Sequence, residues 1–200
     1  MITNDLTLDK ATHTYRYKGN VVPGTTTVLA DVGIICYAHV EDRYRDRGVL
    51  IHEATELDDD GALDEVICEE HGIMGWVRAW RGWKDQFDPE FPCTEQAYYD
   101  PELRVAGTWD RGCRARDHFG PLDIKSGDPE DWHIIQLASY ASMDDTLTSS
   151  ANGAKARRAW NVYLREDGQF KNVDYDANEL AEAAKDWRAA VRIYNRKHRL

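Results

Sequence analysis

The chain lacks several features that would assign it to a class. It has four cysteines in 200 residues, Cys36, Cys68, Cys93 and Cys113, lying 32, 25 and 20 positions apart. No C-x-x-C pair occurs, so neither a structural zinc site nor an iron–sulfur cluster has local sequence support. In a reducing compartment such residues read as plain buried thiols. No apolar run approaches the roughly 20 residues that a membrane span needs. Met1-Ile2-Thr3-Asn4-Asp5 has neither the basic start nor the apolar run of a signal peptide, so the expectation is a cytoplasmic protein. Basic charge is scarce too: 25 Lys and Arg stand against 36 Asp and Glu, a net charge of −11. That argues against a nucleic-acid coat, which needs a basic surface, and leaves room for an enzyme that holds nucleic acid in one local groove.

What is present describes a globular domain, with 42% hydrophobic and 30% charged residues. Its length suits one domain over 1–200, divided into an N-terminal hairpin and helices (1–90), a meander and helix (91–145) and a late hairpin and helix (155–200). Leu6-Thr7-Leu8 and Thr14-Tyr15-Arg16-Tyr17 read as a hairpin. Thr25-Thr26-Thr27 can cap a helix beginning near Val28. A helix is expected over 38–57, with Tyr44, Val49, Ile51 and His52 as inward positions, ended by Asp58-Asp59-Asp60-Gly61. Ile73, Trp76, Val77, Trp80, Trp83 and Phe87 recur at helical spacing as a core-facing stripe, although three such tryptophans can also stack on bases. Three strands follow, Thr94–Tyr99, Val105–Arg114 and Pro121–Lys125, then a helix over 129–143 and a Ser/Asn/Gly linker at 149–153. A hairpin of Ala159–Arg165 with Gln169–Tyr175 and a helix over 177–198 complete a mixed α/β order.

Charge is unevenly spread. Nine acidic residues and no Lys or Arg lie between Glu53 and Glu70, whereas Lys185 to Leu200 holds six Lys or Arg against one Asp. The acidic run reads as a solvated helix face, and the basic tail is the better binding candidate.

Chemistry concentrates in Gly107-Thr108-Trp109-Asp110 and Asp123-Ile124-Lys125. Residues two apart on a strand share a face, so Asp123 and Lys125 point one way and Ile124 turns into the core. An antiparallel hairpin can bring Asp110 beside Asp123. Converging carboxylates repel unless a cation neutralises them, and Mg²⁺ or Mn²⁺ takes such oxygen ligands. A lysine beside that ion can help lower the pKa of an attacking water or stabilise charge growing on phosphorus. Taken alone, Asp123 and Lys125 also fit an ordinary surface pair. Gln136 and Tyr140, four apart on the next helix, share one face.

The ordered set of His52 in Arg47-Gly48-Val49-Leu50-Ile51-His52, then Gly107-x-x-Asp110, Asp123-x-Lys125 and Gln136-x-x-x-Tyr140 resembles the PD-(D/E)XK nuclease superfamily. The branch it is most similar to is the RecB-like one of recombination nucleases, phage exonucleases and CRISPR adaptation nucleases. The resemblance covers residues 23–143 and implies a restriction-endonuclease-like core: a mixed central sheet with a three-strand meander flanked by helices, plus an N-terminal helical elaboration. It implies that Asp110, Asp123 and the Ile124 carbonyl hold Mg²⁺ or Mn²⁺. His52 would approach the same metal or the scissile phosphate, Lys125 would be the catalytic lysine, and Gln136 and Tyr140 would orient the site and contact the DNA backbone. Glu95 is either an extra acid or a solvent-facing strand residue. Members with an iron–sulfur cluster carry closely spaced C-terminal cysteines, and this chain has none after Cys113. The branch without a cluster is therefore expected, namely the compact exonucleases of phage or prophage recombination and replication in a bacterial host cell.

Partners implied in this way are DNA, further copies of the chain and a single-strand annealing protein, with no membrane. No helicase P-loop occurs, so unwinding would fall to a partner. The clusters Arg111, Arg114 and Arg116, then Lys155, Arg157 and Arg158, then Arg188 to Arg199 are the candidate DNA grip, and a closed ring would multiply it. Alternatives are an endonuclease of the same fold and a catalytically idle DNA- or protein-binding module, a decoy or inhibitor.

Overall fold

A computed structural model of the chain describes residues 5–10, 12–36, 41–143 and 156–199. Strands β1 (Leu6–Asp9), β2 (Thr14–Tyr17) and β3 (Asn20–Val22) form a small antiparallel sheet. The expected hairpin thus gains a third strand. Helices α1 (Thr25–Asp31), α2 (Asp42–Asp59), α3 (Glu65–Glu70) and α4 (Met74–Phe87) follow. Next come strands β4 (Glu90–Asp100), β5 (Val105–Ala115) and β6 (His118–Lys125), then α5 (Trp132–Met143), β7 (Ala156–Arg157), β8 (Ala159–Leu164), β9 (Phe170–Tyr175) and α6 (Ala177–His198).

The main sheet runs β4-β5-β6-β8-β9, with the short β7 pairing with β6 just ahead of β8. β4, β5 and β6 are the expected antiparallel meander, β8 joins β6 in parallel, and β9 returns antiparallel. This is a mixed α/β architecture with helices on both faces. Period-2 alternation assigns the faces along β6 and β8. On one side Leu122, Ile124, Trp160 and Val162 meet Ile51 of α2 and Trp76, Trp80 and Trp83 of α4. On the other, Trp109 and Ala159 meet Leu29 of α1, Leu137 of α5 and Trp187 of α6. The α4 tryptophans are buried, so the stripe is core. α6 starts at a capping box, in which Asp176 accepts from the Glu179 amide while Glu179 reaches back.

Four expectations are corrected. The threonines do not cap α1: Gly24 is its N-cap without a side-chain bond, and Thr25 instead bonds Ser139 Oγ at 3.1 Å. Tyr44 and Val49 are exposed, because α2 buries Ile51, Ala54 and Thr55 instead. Asp58 and Asp59 belong to α2 and accept from Arg81 and Lys84 of α4 at 2.7–2.8 Å, so the acidic run is no plain solvated face. Cys36 is exposed, while Cys68 and Cys113 are buried and Cys93 half-buried. The linker at 149–153 and Lys155 lie outside the described residues.

Candidate metal centre

A cleft of about 640 Å³ opens where α2, α5 and the small N-terminal sheet meet the β4–β6 meander. Helical spacing puts Gly48, His52 and Glu56 on one face of α2, and all three line it. β5 contributes Asp110, β6 contributes Asp123 and Lys125, and α5 contributes Gln136 and Tyr140. The sequence-predicted residues of all four motifs therefore meet in one place.

Sheet register explains the convergence. The β5–β6 ladder runs from Ala115–His118 to Arg111–Leu122. One step further would set Asp110 opposite Asp123, and there the Ile124 amide donates to the Asp110 side chain (Oδ2, 2.7 Å). Across β4, the pairs Thr94–Arg111 and Gln96–Trp109 place Glu95 opposite Asp110. Glu95 adopts a left-handed φ of 47°, a conformation that costs a non-glycine residue free energy and persists where the surroundings impose it. His52, Glu95 and Asp110 bring one ligand atom each within 4.8 Å of one another, and His52 Nδ1 lies 3.3 Å from Asp110 Oδ2. Glu95 therefore lines the cleft beside His52 and Asp110, with its side chain 26% exposed.

The electrostatics are those of carboxylates forced together. Burial, then the Asp110 carboxylate, pushes the Glu95 pKa up to about 7, against the pull of His52 and Arg111. Burial also raises Asp123, with Lys125 opposing and Asp110 adding to the rise. Lys125 Nζ sits 2.6 Å from Asp123 Oδ2 and donates to Gln136 Oε1 at 2.9 Å. Gln136 Nε2 in turn donates to the Tyr140 hydroxyl at 2.8 Å. The two ends of Gln-x-x-x-Tyr form a relay, and only the Gln end touches the lysine. Lys125 also lies 5.2 Å from the Trp132 ring centroid.

The donor set fits a hard divalent cation. Carboxylate oxygens and one imidazole nitrogen face a single cavity, and a bound cation would favour the ionised forms of Glu95 and Asp123 that burial disfavours.

Arg111 is corrected as a DNA contact. Its side chain is 0% exposed. Nε donates to Asp59 Oδ2 at 2.8 Å and a guanidinium nitrogen donates to the Asp110 carbonyl at 2.7 Å. It braces the end of α2 against β5, behind the cleft. Arg114 faces outward and pairs with Glu90 at 3.1 Å. In the tail, Arg188 pairs with Glu102 at 3.3 Å and Lys197 with Asp31 at 3.0 Å, both basic side chains remaining more than half exposed.

Sequence reasoning missed Asn161. The β6–β8 register sets it opposite Asp123, and its Nδ2 donates to Asp123 Oδ2 at 3.2 Å. Asn161 is 0% exposed. The available signal was a lone amide inside the apolar strand Ala159-Trp160-Asn161-Val162-Tyr163-Leu164, since a buried amide needs a partner. His133 was missed likewise: its Nδ1 accepts from the Glu130 amide (3.2 Å) and meets the Tyr163 hydroxyl at 2.9 Å. Burial, then the Lys125 charge, lowers its pKa to about 4.

No protein-family model and no curated protein matches the chain. Among solved structures, it is similar to an alkaline exonuclease (LHK-Exo) from Laribacter hongkongensis, at 13% identity over 88% of this chain and 92% of that one, with a TM-score of 0.29. It is similar to LHK-Exo in complex with dAMP at 12% identity over 88% and 93% of the chains, with a TM-score of 0.30.

Proposed function

We propose that this protein is a divalent-metal-dependent deoxyribonuclease that hydrolyses phosphodiester bonds. The observation that carries the reading is the placement of Lys125, paired with Asp123, in the same cleft as the His52–Glu95–Asp110 cluster. Asp110, Asp123, Glu95 and His52, with the Ile124 carbonyl, would hold Mg²⁺ or Mn²⁺. When bound, such an ion neutralises the carboxylates and makes water a stronger nucleophile at neutral pH. Lys125 would set its amino group where charge grows on the phosphoryl oxygens, and Asp123 and Gln136 already orient it, which limits the reorganisation needed. Tyr140 and Trp132 confine Gln136 and Lys125 from the α5 side.

Within that activity the reading extends to an exonuclease of phage or prophage recombination or replication in a bacterial host cell, assembled as a homo-oligomer and working beside a single-strand annealing protein. Among the described residues no helix is long and apolar enough to cross a membrane.

The test is end-labelled linear and covalently closed DNA incubated with Mg²⁺, Mn²⁺ or EDTA, for the wild type and for Asp110→Asn, Asp123→Asn and Lys125→Ala. Linear DNA should be degraded with metal and spared in EDTA, closed circles should survive, and each variant should lose nearly all turnover. Undiminished cleavage by Asp123→Asn overturns the site. Rapid cutting of closed circles makes the protein an endonuclease, and a monomeric mass by light scattering removes the oligomer.

A further inference from the structure

Lys125 ends β6, and Ser126 and Gly127 turn from it into a second cavity, of about 810 Å³, that shares none of the carboxylates of the metal cleft. α2 lines this groove with Tyr44, Arg45 and Arg47, α4 with Trp76, and the end of the β8–β9 hairpin with Arg165. Tyr44 is 43% exposed. Arg47 bridges two aromatics, its guanidinium carbon 5.1 Å from the Tyr44 ring centroid and 4.8 Å from that of Trp76. Arg43, itself 68% exposed, lies 4.8 Å from the Tyr44 ring centroid, donates to the Tyr44 hydroxyl at 3.1 Å and pairs with Glu41 at 2.9 Å, a surface arrangement that a stacking ligand can exchange. Arg47 Nε and Trp76 Nε1 are buried donors with no acceptor among the described residues.

The charge of the groove narrows its ligand. Arg45, Arg47 and Arg165 are matched in number by Asp128, Glu130 and Glu166. A site for phosphate has an excess of positive charge, and this one has none. A balanced set of donors and acceptors around stacked aromatic and guanidinium planes suits a neutral planar heterocycle that carries both donors and acceptors on its edge.

We propose that this groove receives an unpaired nucleobase of the strand whose phosphate lies at Lys125, stacked on Tyr44 with its edge bonded by the flanking arginines and carboxylates. A base inside a duplex cannot occupy it, because its edge is engaged and its faces are stacked. The strand is therefore single-stranded next to the cleft, and an already unpaired end meets the lowest barrier. The inference rests on the nuclease reading only for the position of the phosphate, and its test is run without metal so that the two readings fail separately.

The experiment measures binding of the full chain to fluorescent single-stranded oligonucleotides in EDTA, with one abasic site moved through the sequence and 2-aminopurine placed at each position in turn. In the wild type one abasic position should weaken binding about tenfold while its neighbours have little effect, the size expected for loss of one base–aromatic stack. 2-Aminopurine at that position should be quenched. Tyr44→Ala should weaken the intact oligonucleotide by a similar factor and erase the abasic effect, whereas Tyr44→Trp should keep both, each with a wild-type melting curve. A uniform abasic effect, an unchanged Tyr44→Ala, equal affinity for blunt duplex, or no binding of any oligonucleotide overturns the proposal. If the position-specific pattern holds in a protein that cleaves nothing, the base site stands and the nuclease reading falls.

Discussion

Gly107 and Tyr140 are in contact: a Cβ built on Gly107 would stand 2.7 Å from Tyr140 Cε1 and 3.1 Å from Thr25 Oγ1. The contact joins two sequence motifs. The glycine three residues ahead of Asp110 makes room for the tyrosine whose hydroxyl holds Gln136, and Gln136 holds Lys125.

Gly107→Ala should therefore lower stability by about 1–3 kcal/mol through overpacking, a fall of several degrees in melting temperature at this chain length. Combining it with Tyr140→Ala tests the cause. In that background the added methyl group should cost little, and full additivity of the two variants would show that the strain lies elsewhere.

Asn161→Ala removes the amide that shares Asp123 Oδ2 with Lys125. Loss of such an orienting partner should weaken divalent-cation affinity and turnover about tenfold. Calorimetric titration of Mn²⁺ into the metal-free protein reads the affinity directly. An unchanged dissociation constant would reduce Asn161 to a packing residue.

Arg111→Ala and Arg114→Ala should separate cleanly. The first removes a fully buried guanidinium with its hydrogen bonds to Asp59 and to the Asp110 carbonyl, while Lys84 still pairs with Asp59, so it should cost about 2–3 kcal/mol. The second removes a surface pair worth under about 1 kcal/mol. Denaturant titration should rank them in that order. A stable Arg111→Ala that fails only in DNA binding would restore the DNA-contact role.

Two groups pull stability in opposite directions below neutral pH. The His133 pKa is depressed from 6.5 to about 4, so the unfolded chain takes up the proton first. Its contribution is complete above about pH 6.5 and is lost as pH falls through about 4. Glu95 is raised from 4.5 to about 7, so its contribution is complete below about pH 4.5 and is lost as pH rises through about 7. Melting of the metal-free protein should show each separately. Glu95→Gln should lose less stability than wild type on raising the pH from 4.5 to 7, and His133→Gln should lose less on lowering it from 6.5 to 4. Parallel curves for variant and wild type would refute the corresponding assignment.

Much of this protein was legible in one dimension. The α4 stripe, the three meander strands, the late hairpin and α6 follow from periodicity and caps, because pleat and helical pitch depend on neighbours a few residues away. The same local rules put Asp123 and Lys125 on one face of β6 with Ile124 on the other, and set Gln136 and Tyr140 on one side of α5. What only the tertiary structure decided is which of these groups meet and which lie dry. Glu95 joins the cluster through the β4–β5 register, and Asn161 reaches Asp123 through a parallel pairing that spans 38 residues of chain. Arg111, one residue from Asp110 and basic like its neighbours Arg114 and Arg116, is buried because α2 folds Asp59 over it. Tyr44 is exposed because α2 turns Ile51 and Ala54 to the core instead. Burial and register are set by elements distant in sequence, so no local pattern carries them.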